Sequence, residues 1–282
     1  MNRQMRPSRV LHKLRAGEVV SCFKMNLESS RVAEIAALSG FDCVWADREH
    51  TAVNWSDLEK QILAAKTQDT DVMVRVSRGS YSDYIRPLEL DASGIMVPHV
   101  MGLQDAQNIV RMTRFHPIGL RPLDGGNSDA AFCLVDISEY LEQANAQRFV
   151  AIQIEDPEPL EELDAIAALP GIDMLFFGPG DFSQAIGAPG QWNHPLIGEA
   201  RRRVAEVCVA NGKFAGTVGS LDNKDELISL GYRFISIGAD VVGLSQYCGK
   251  IAAAFSSDSA DLSNRSTTLY DSEKTQNSEG KS

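Results

Sequence analysis

Two carboxylates stand where they could hold a metal. Glu155 follows the apolar run FVAIQI, and Asp181 follows MLFFGPG. Short runs of this composition read as strands, so both acids fall at strand ends. Two carboxylates from neighbouring strand ends, completed by water, suit a hard octahedral ion such as Mg²⁺ or Mn²⁺, with Co²⁺ as a further candidate. Neither segment offers Cys or His beside its acid, which argues against tetrahedral zinc. Gln153 is two residues before Glu155 and faces the same side, while Asp156 is expected to face away. Gly178-Pro179-Gly180 leads into Asp181. It is either a plain tight turn or a place where backbone N–H groups, at Gly180 above all, approach a substrate carboxylate or oxo group.

Two more segments carry polar residues at such ends. VWADREH supplies Asp47, Glu49 and His50. A histidine titrates near neutrality and suits a general base, and Asp47 is spaced to orient its ring. A solvated loop histidine is the plainer alternative. DVMVRV places Arg75 in an apolar strand. A guanidinium there needs an anion, either a substrate carboxylate gripped bidentately or a structural partner inside the fold. His99 reads as a rim residue, and Arg121 reaches the mouth or lies on the surface. No lysine is expected at a strand end in a Schiff-base position, which argues against metal-free aldol chemistry.

These residues need a frame that gathers strand ends. Eight apolar runs alternate with amphipathic stretches: 19–25, 42–46, 72–76, 94–97, 149–154, 174–177, 214–218 and 234–237. Helices are expected at 31–38, 57–66, 103–113, 160–169, 195–211, 224–230 and 241–255. The alternation predicts βα units around a parallel sheet, and eight of them fit a closed (β/α)₈ TIM barrel better than an open sheet. No GxGxxG follows the first strand, against a dinucleotide fold. The connection from 115 to 148 is long and contains Gly125-Gly126, so an ordered loop plus an extra helix over 137–146 is expected. One barrel domain, with a helix at its N-terminus, then spans 1–255. The Ser- and Asp-rich tail 256–282 has too little apolar content to order itself.

Bulk properties narrow the partners. The 282 residues carry a net charge of −11, which gives no general attraction to nucleic acid or anionic lipid. No apolar stretch approaches the length of a membrane span, and the basic N-terminus lacks the apolar core of a signal peptide. Cys22, Cys43 and Cys208 lie in apolar segments and read as small buried hydrophobes, so a reducing cytoplasm is expected.

In FDCVWADREHTAVN, VMVRV, GIMVPHV, TRFHPIGLRP, AIQIEDPE, GIDMLFFGPGDFSQAIG and FISIGAD the sequence resembles the HpcH/HpaI aldolases, over about residues 19–255. The resemblance implies a divalent-metal-dependent class II aldolase that joins or cleaves a pyruvate-type 2-oxo acid and an aldehyde. Glu155 and Asp181 would ligate the metal, with Gln153 beside it. His50 paired with Asp47 would be the acid/base, and Arg75 would hold the pyruvate end. A homo-oligomer, hexamer or trimer, is implied, with the C-terminal helix packed on a neighbour. Three departures bear on substrate. Arg48 replaces a common glycine and brings a bulky cation beside the base. GLRP replaces G-x-R-G, and GPGDFS replaces GPADLS. Two rivals follow: a citramalyl- or malyl-CoA lyase of the same superfamily, and a non-catalytic 2-oxo-acid-binding barrel blocked by Arg48.

Overall fold

The computed structural model describes residues 3–255; the tail expected to be disordered lies outside the described residues. Eight parallel strands close in chain order into a barrel: β1 (Val20–Met25), β2 (Cys43–Asp47), β3 (Asp71–Arg75), β4 (Gly94–Val97), β5 (Phe149–Ile154), β6 (Met174–Phe177), β7 (Phe214–Gly219) and β8 (Tyr232–Ala239). This is the (β/α)₈ architecture that the alternation predicted. Around it run α1 (Arg9–Arg15), α2 (Ser30–Leu38), α3 (Trp55–Lys66), α4 (Tyr81–Glu89), α5 (Leu103–Thr113), α6 (Ile137–Gln147), α7 (Leu163–Ala168), α8 (Pro179–Ala185), α9 (Pro195–Ala210), α10 (Lys224–Leu230) and α11 (Asp240–Phe255).

Alternation along each strand sorts the side chains into two cores. One set, with Ala46, Val72, Val74, Ile95, Ile152 and Leu175, packs against the helices. The other fills the barrel: Cys22, Trp45, Met73, Met96, Ala151 and Phe176. Trp45 meets Phe176 edge-on at 5.5 Å between ring centres. Val10, Leu11 and Leu14 of α1 join this inner cluster, so the N-terminal helix plugs the barrel from below. Such filling matters energetically: truncating a buried Phe to Ala costs about 3–5 kcal/mol.

One step further along the same alternation, the inner layer turns polar. Above Cys22, Trp45, Met73 and Ala151 come Lys24, Asp47, Arg75 and Gln153, all buried. The register sets Asp47 level with Arg75, while Lys24 pairs with Trp45 and its ammonium lies 3.3 Å from Asp47 Oδ2. The site is therefore the uppermost layer of the barrel filling.

Some elements differ from expectation. α4 was not anticipated, because Pro87 lies inside it. Its start is fixed instead by a capping box between Ser80 and Asp83. α3 begins at Trp55, with the Asn54 side chain accepting from the Asp57 N–H, rather than behind Ser56. The long connection is ordered and carries α6. Arg121 is neither at the mouth nor on the surface. It is buried, 3.1 Å from Asp129 and 3.2 Å from the Tyr140 hydroxyl, and it pins the loop onto α6.

Candidate active site

Glu155 is the residue after β5 and is almost wholly buried. Its Oε1 accepts the His99 backbone N–H at 2.9 Å, and its Oε2 accepts from the Gln153 side-chain amide. Those bonds do not offset its burial. Desolvation, with the nearby charges of Asp181 and Glu49 adding to it, pushes the Glu155 carboxyl up to about 8 despite His99. Asp181 comes from the first turn of α8 and lines a cavity together with Gln153. Ligand atoms of His99, Glu155 and Asp181 all lie within 4.8 Å of one another.

A divalent ion fits these residues. The Gln153 Oε1 is buried without a hydrogen-bond partner, and Glu155 is a buried carboxylate in need of a cation. Two carboxylates, an amide oxygen and water suit Mg²⁺, Mn²⁺ or Co²⁺, with an imidazole beside them. Gly178 is required for this packing. A Cβ there would stand 2.7 Å from Glu155 Oε2 and 3.0 Å from Gln153 Nε2. Gly180 differs, since a Cβ on it meets nothing within 4 Å. It widens the cavity beside Asp181 instead of permitting a close approach.

His99 sits closer to the centre than a rim residue. It takes a left-handed backbone angle, φ 47°, after Pro98. That turn aims its N–H at Glu155 and brings its Nδ1 to 2.9 Å from Asp156 Oδ2. Asp156 is thus not turned away but holds the imidazole beside the acid pair.

Arg75 lies deep in the wall, with its Nε 3.0 Å from Asp47 Oδ1 and a second bond from its Nη2 to Asp47 Oδ2. Its Nη1 is 3.0 Å from Glu49 Oε2. Burial pulls the guanidinium pKa down, but Asp47, Glu49 and Glu155 more than restore it. Burial likewise pushes Asp47 up, and Arg75 and Lys24 bring it below its ordinary value. Asp47 is therefore spent on Arg75 and Lys24. This corrects the expected Asp47–His50 pair: only the His50 backbone N–H approaches Asp47, at 3.4 Å. The His50 ring, at the exposed lip of the cavity, has Glu49 beside it at 3.5 Å.

Two further corrections concern cations. Lys24 does sit near a strand end inside the cavity, 3.3 Å from Asp47 Oδ2 and over the Trp45 ring. The period-two pattern Val20, Cys22, Lys24 carried that signal. Arg48 does not crowd the base. Its guanidinium stacks on Trp55, 3.5 Å from the ring centre. The cavity, about 500 Å³, is lined by Lys24, His50, Arg75, Gln153, Gly180 and Asp181 among others, and not by Arg48.

Known proteins share this chain's plan. The family model of HpcH/HpaI aldolase/citrate lyase matches residues 21–246. A 2-keto-3-deoxy-L-rhamnonate aldolase of Klebsiella pneumoniae is 33% identical over 250 residues, covering 86% of this chain and 91% of its own. The crystal structure of an HpcH/HpaI aldolase from Desulfitobacterium hafniense superposes with a TM-score of 0.82 at 27% identity, covering 86% of this chain and 95% of that one. The citrate synthase SbnG superposes with a TM-score of 0.79 at 29% identity, over 86% and 95% of the two chains. With its closed barrel and its acid pair at the strand ends, the chain belongs to the HpcH/HpaI aldolase/citrate lyase family and is a carbon–carbon lyase.

Proposed function

We propose that this enzyme is a metal-dependent class II aldolase that joins and cleaves a pyruvate-type 2-oxo acid and an aldehyde. The observation that carries the reading is geometric: ligand atoms of the buried Glu155, of Asp181 and of His99 lie within 4.8 Å of one another, beside the unpartnered Gln153 Oε1. Glu155 and Asp181 are the proposed ligands, with Gln153 beside them. A bound Mg²⁺, Mn²⁺ or Co²⁺ supplies Lewis-acid polarisation of the substrate keto group.

The chain's own residues do the rest. Arg75 has five N–H groups, more than its bonds to Asp47 and Glu49 use, so its planar fork can still donate to a substrate oxygen. Asp47 and Glu49 fix that fork from behind. In cleavage His50 takes the proton of the aldol hydroxyl, through one water. The C–C bond electrons pass into the enolate of the 2-oxo acid, and the aldehyde leaves. The enolate carbon then takes a proton to complete the acid. Glu49 stands beside the His50 ring, at 3.5 Å.

The barrel blocked by Arg48 loses its premise, because that side chain lies on Trp55. Lys24 raises a Schiff-base alternative, but its head is ion-paired with Asp47. The test is aldol addition of pyruvate to a panel of aldehydes, read by product mass. Activity is expected with added metal and none with EDTA. Borohydride with pyruvate should leave Lys24 unmodified; a reduced adduct there, or full activity in EDTA, contradicts the reading.

We also propose a homo-oligomer, trimer or hexamer. Within α11 only Asp240 is buried, while Leu244, Tyr247, Ile251 and Phe255 are exposed. Beside α11 runs an apolar groove of about 710 Å³ lined by Phe23, Leu27, Val32 and Ile35 of the β1–α2 region. Leu244→Glu with Tyr247→Glu should lower the mass seen in sedimentation. We place the enzyme in the cytoplasm, a reading supported by the free thiols of Cys22, Cys43 and Cys208.

A further inference from the structure

The acid pair is not the whole donor set at the upper end of the barrel. His99 stands just beyond β4, the strand that pairs with β5 and so neighbours Glu155. A nitrogen of its ring and carboxylate oxygens of Glu155 and Asp181 lie within 4.8 Å of one another. Ligands of one small divalent ion stand about 3–4 Å apart, as bonds of about 2.1 Å require, so side-chain rotation is enough to close the three around an ion. The Gln153 Oε1 is buried without a hydrogen-bond partner, a second and independent mark of a cation site. The imidazole is also held as a metal ligand is held. Its Nδ1 is 2.9 Å from Asp156 Oδ2. A carboxylate only accepts, so the hydrogen sits on Nδ1, and the neutral ring keeps a free lone pair on Nε2. Glu49 Oε1 is 3.8 Å from that Nε2, too far for a hydrogen bond. A carboxylate on one ring nitrogen is the usual companion of a metal on the other. The left-handed angle that brings His99 here, φ 47°, is uncommon outside glycine, and such strain persists where the surroundings hold a side chain to a task.

From this arrangement we infer that His99 is a third protein ligand of the ion, through Nε2, and that it turns the site away from Mg²⁺ toward transition ions that accept nitrogen, Co²⁺ above all. The inference rests on the metal-dependent reading above. Imidazole suits first-row transition ions, whereas Mg²⁺ prefers carboxylate, carbonyl and water oxygens. Two carboxylates alone would discriminate less between them.

The experiment is pulsed EPR of the full Mn²⁺-loaded chain, joined to calorimetric titration of the metal-free chain with Co²⁺ and with Mg²⁺. The expected spectrum shows hyperfine coupling to a directly bonded imidazole nitrogen. His99→Asn should lose that coupling, since Asn tolerates the left-handed angle but has no Nε2. His50→Gln should keep it. In His99→Asn the Co²⁺ affinity should fall about tenfold or more, and the Mg²⁺ affinity by less than about threefold. A wild type with no directly bonded nitrogen overturns the inference alone. So does a coupling that persists in His99→Asn or vanishes in His50→Gln, or equal weakening of Co²⁺ and Mg²⁺ in His99→Asn. Failure of the wild type to bind any of the three ions, or binding unchanged in Glu155→Gln, overturns the metal-dependent reading, and the inference with it.

Discussion

The two ends of the barrel hold buried carboxylates in opposite conditions. At the lower end Asp71 accepts from Arg6 at 2.6 Å, the Ser8 hydroxyl at 2.6 Å and the Val10 N–H at 2.9 Å. Asp42 accepts from Arg9, Lys13 and both the N–H and hydroxyl of Ser21. Burial would raise Asp42, but Lys13 and Ser21 bring it below its ordinary value. At the upper end Glu155 is pushed the other way, to about 8. Both ends bury charge, and Asp47 at the upper end is satisfied like the lower pair, but Glu155 is not. Saturated carboxylates are fold architecture that ties α1 to the strand starts. An undersupplied one, beside a second acid and an imidazole, marks a place kept for a ligand.

The largest effect expected to separate the two ends is on activity. Glu155→Gln should lower turnover about a thousandfold, since loss of metal polarisation removes several kcal/mol of transition-state stabilisation. The same change should not destabilise the metal-free fold. Between the ordinary carboxylate pKa and about 8, the native state holds a proton on Glu155 that the unfolded state has lost. Stability therefore falls as pH rises through that window, by at most about 1.4 kcal/mol per pH unit. Thermal melts in EDTA from pH 5 to 8 should show this slope in the wild type and a shallower one in Glu155→Gln.

At the lower end the balance reverses. Asp71→Asn should cost about 3 kcal/mol in denaturant melts by leaving Arg6 and the α1 cap short of an anion. Turnover per folded molecule should hold. A smaller upper-end effect is expected of Gly178→Ala, whose methyl must displace Glu155 or Gln153. Metal affinity should weaken about tenfold, read by Mn²⁺ titration, with secondary structure unchanged. The smallest belongs to Arg48→Met, which removes stacking on Trp55 and leaves the cavity lining intact. Turnover should stay within about twofold, as for a change away from the site.

The barrel was largely legible in the sequence because β-strands and amphipathic helices print their own periods. Runs such as Phe149–Ile154 and Met174–Phe177 match the strands to the residue. Glu155, Asp181, Gln153, Arg75 and His50 were legible as a set by their place at strand ends. What escaped depends on pairing between strands or on backbone angles. The Asp47–Arg75 pair follows from the β2–β3 register, which no single segment encodes. His99 reaches Glu155 only through its left-handed turn. Lys24 was readable, since it continues the inward positions of Val20 and Cys22, but one lysine in an apolar run passes as an outward residue.

The central claim is that the upper acid pair holds a divalent ion that activates a 2-oxo acid. The most direct measurement is exchange of pyruvate methyl protons in D₂O, followed by NMR, with metal-free, Mg²⁺-loaded and Mn²⁺-loaded protein. The account predicts no enzymatic exchange after EDTA, recovery with one equivalent of metal, and no recovery in Glu155→Gln. Exchange at full rate in metal-free protein, or in Glu155→Gln, would contradict it.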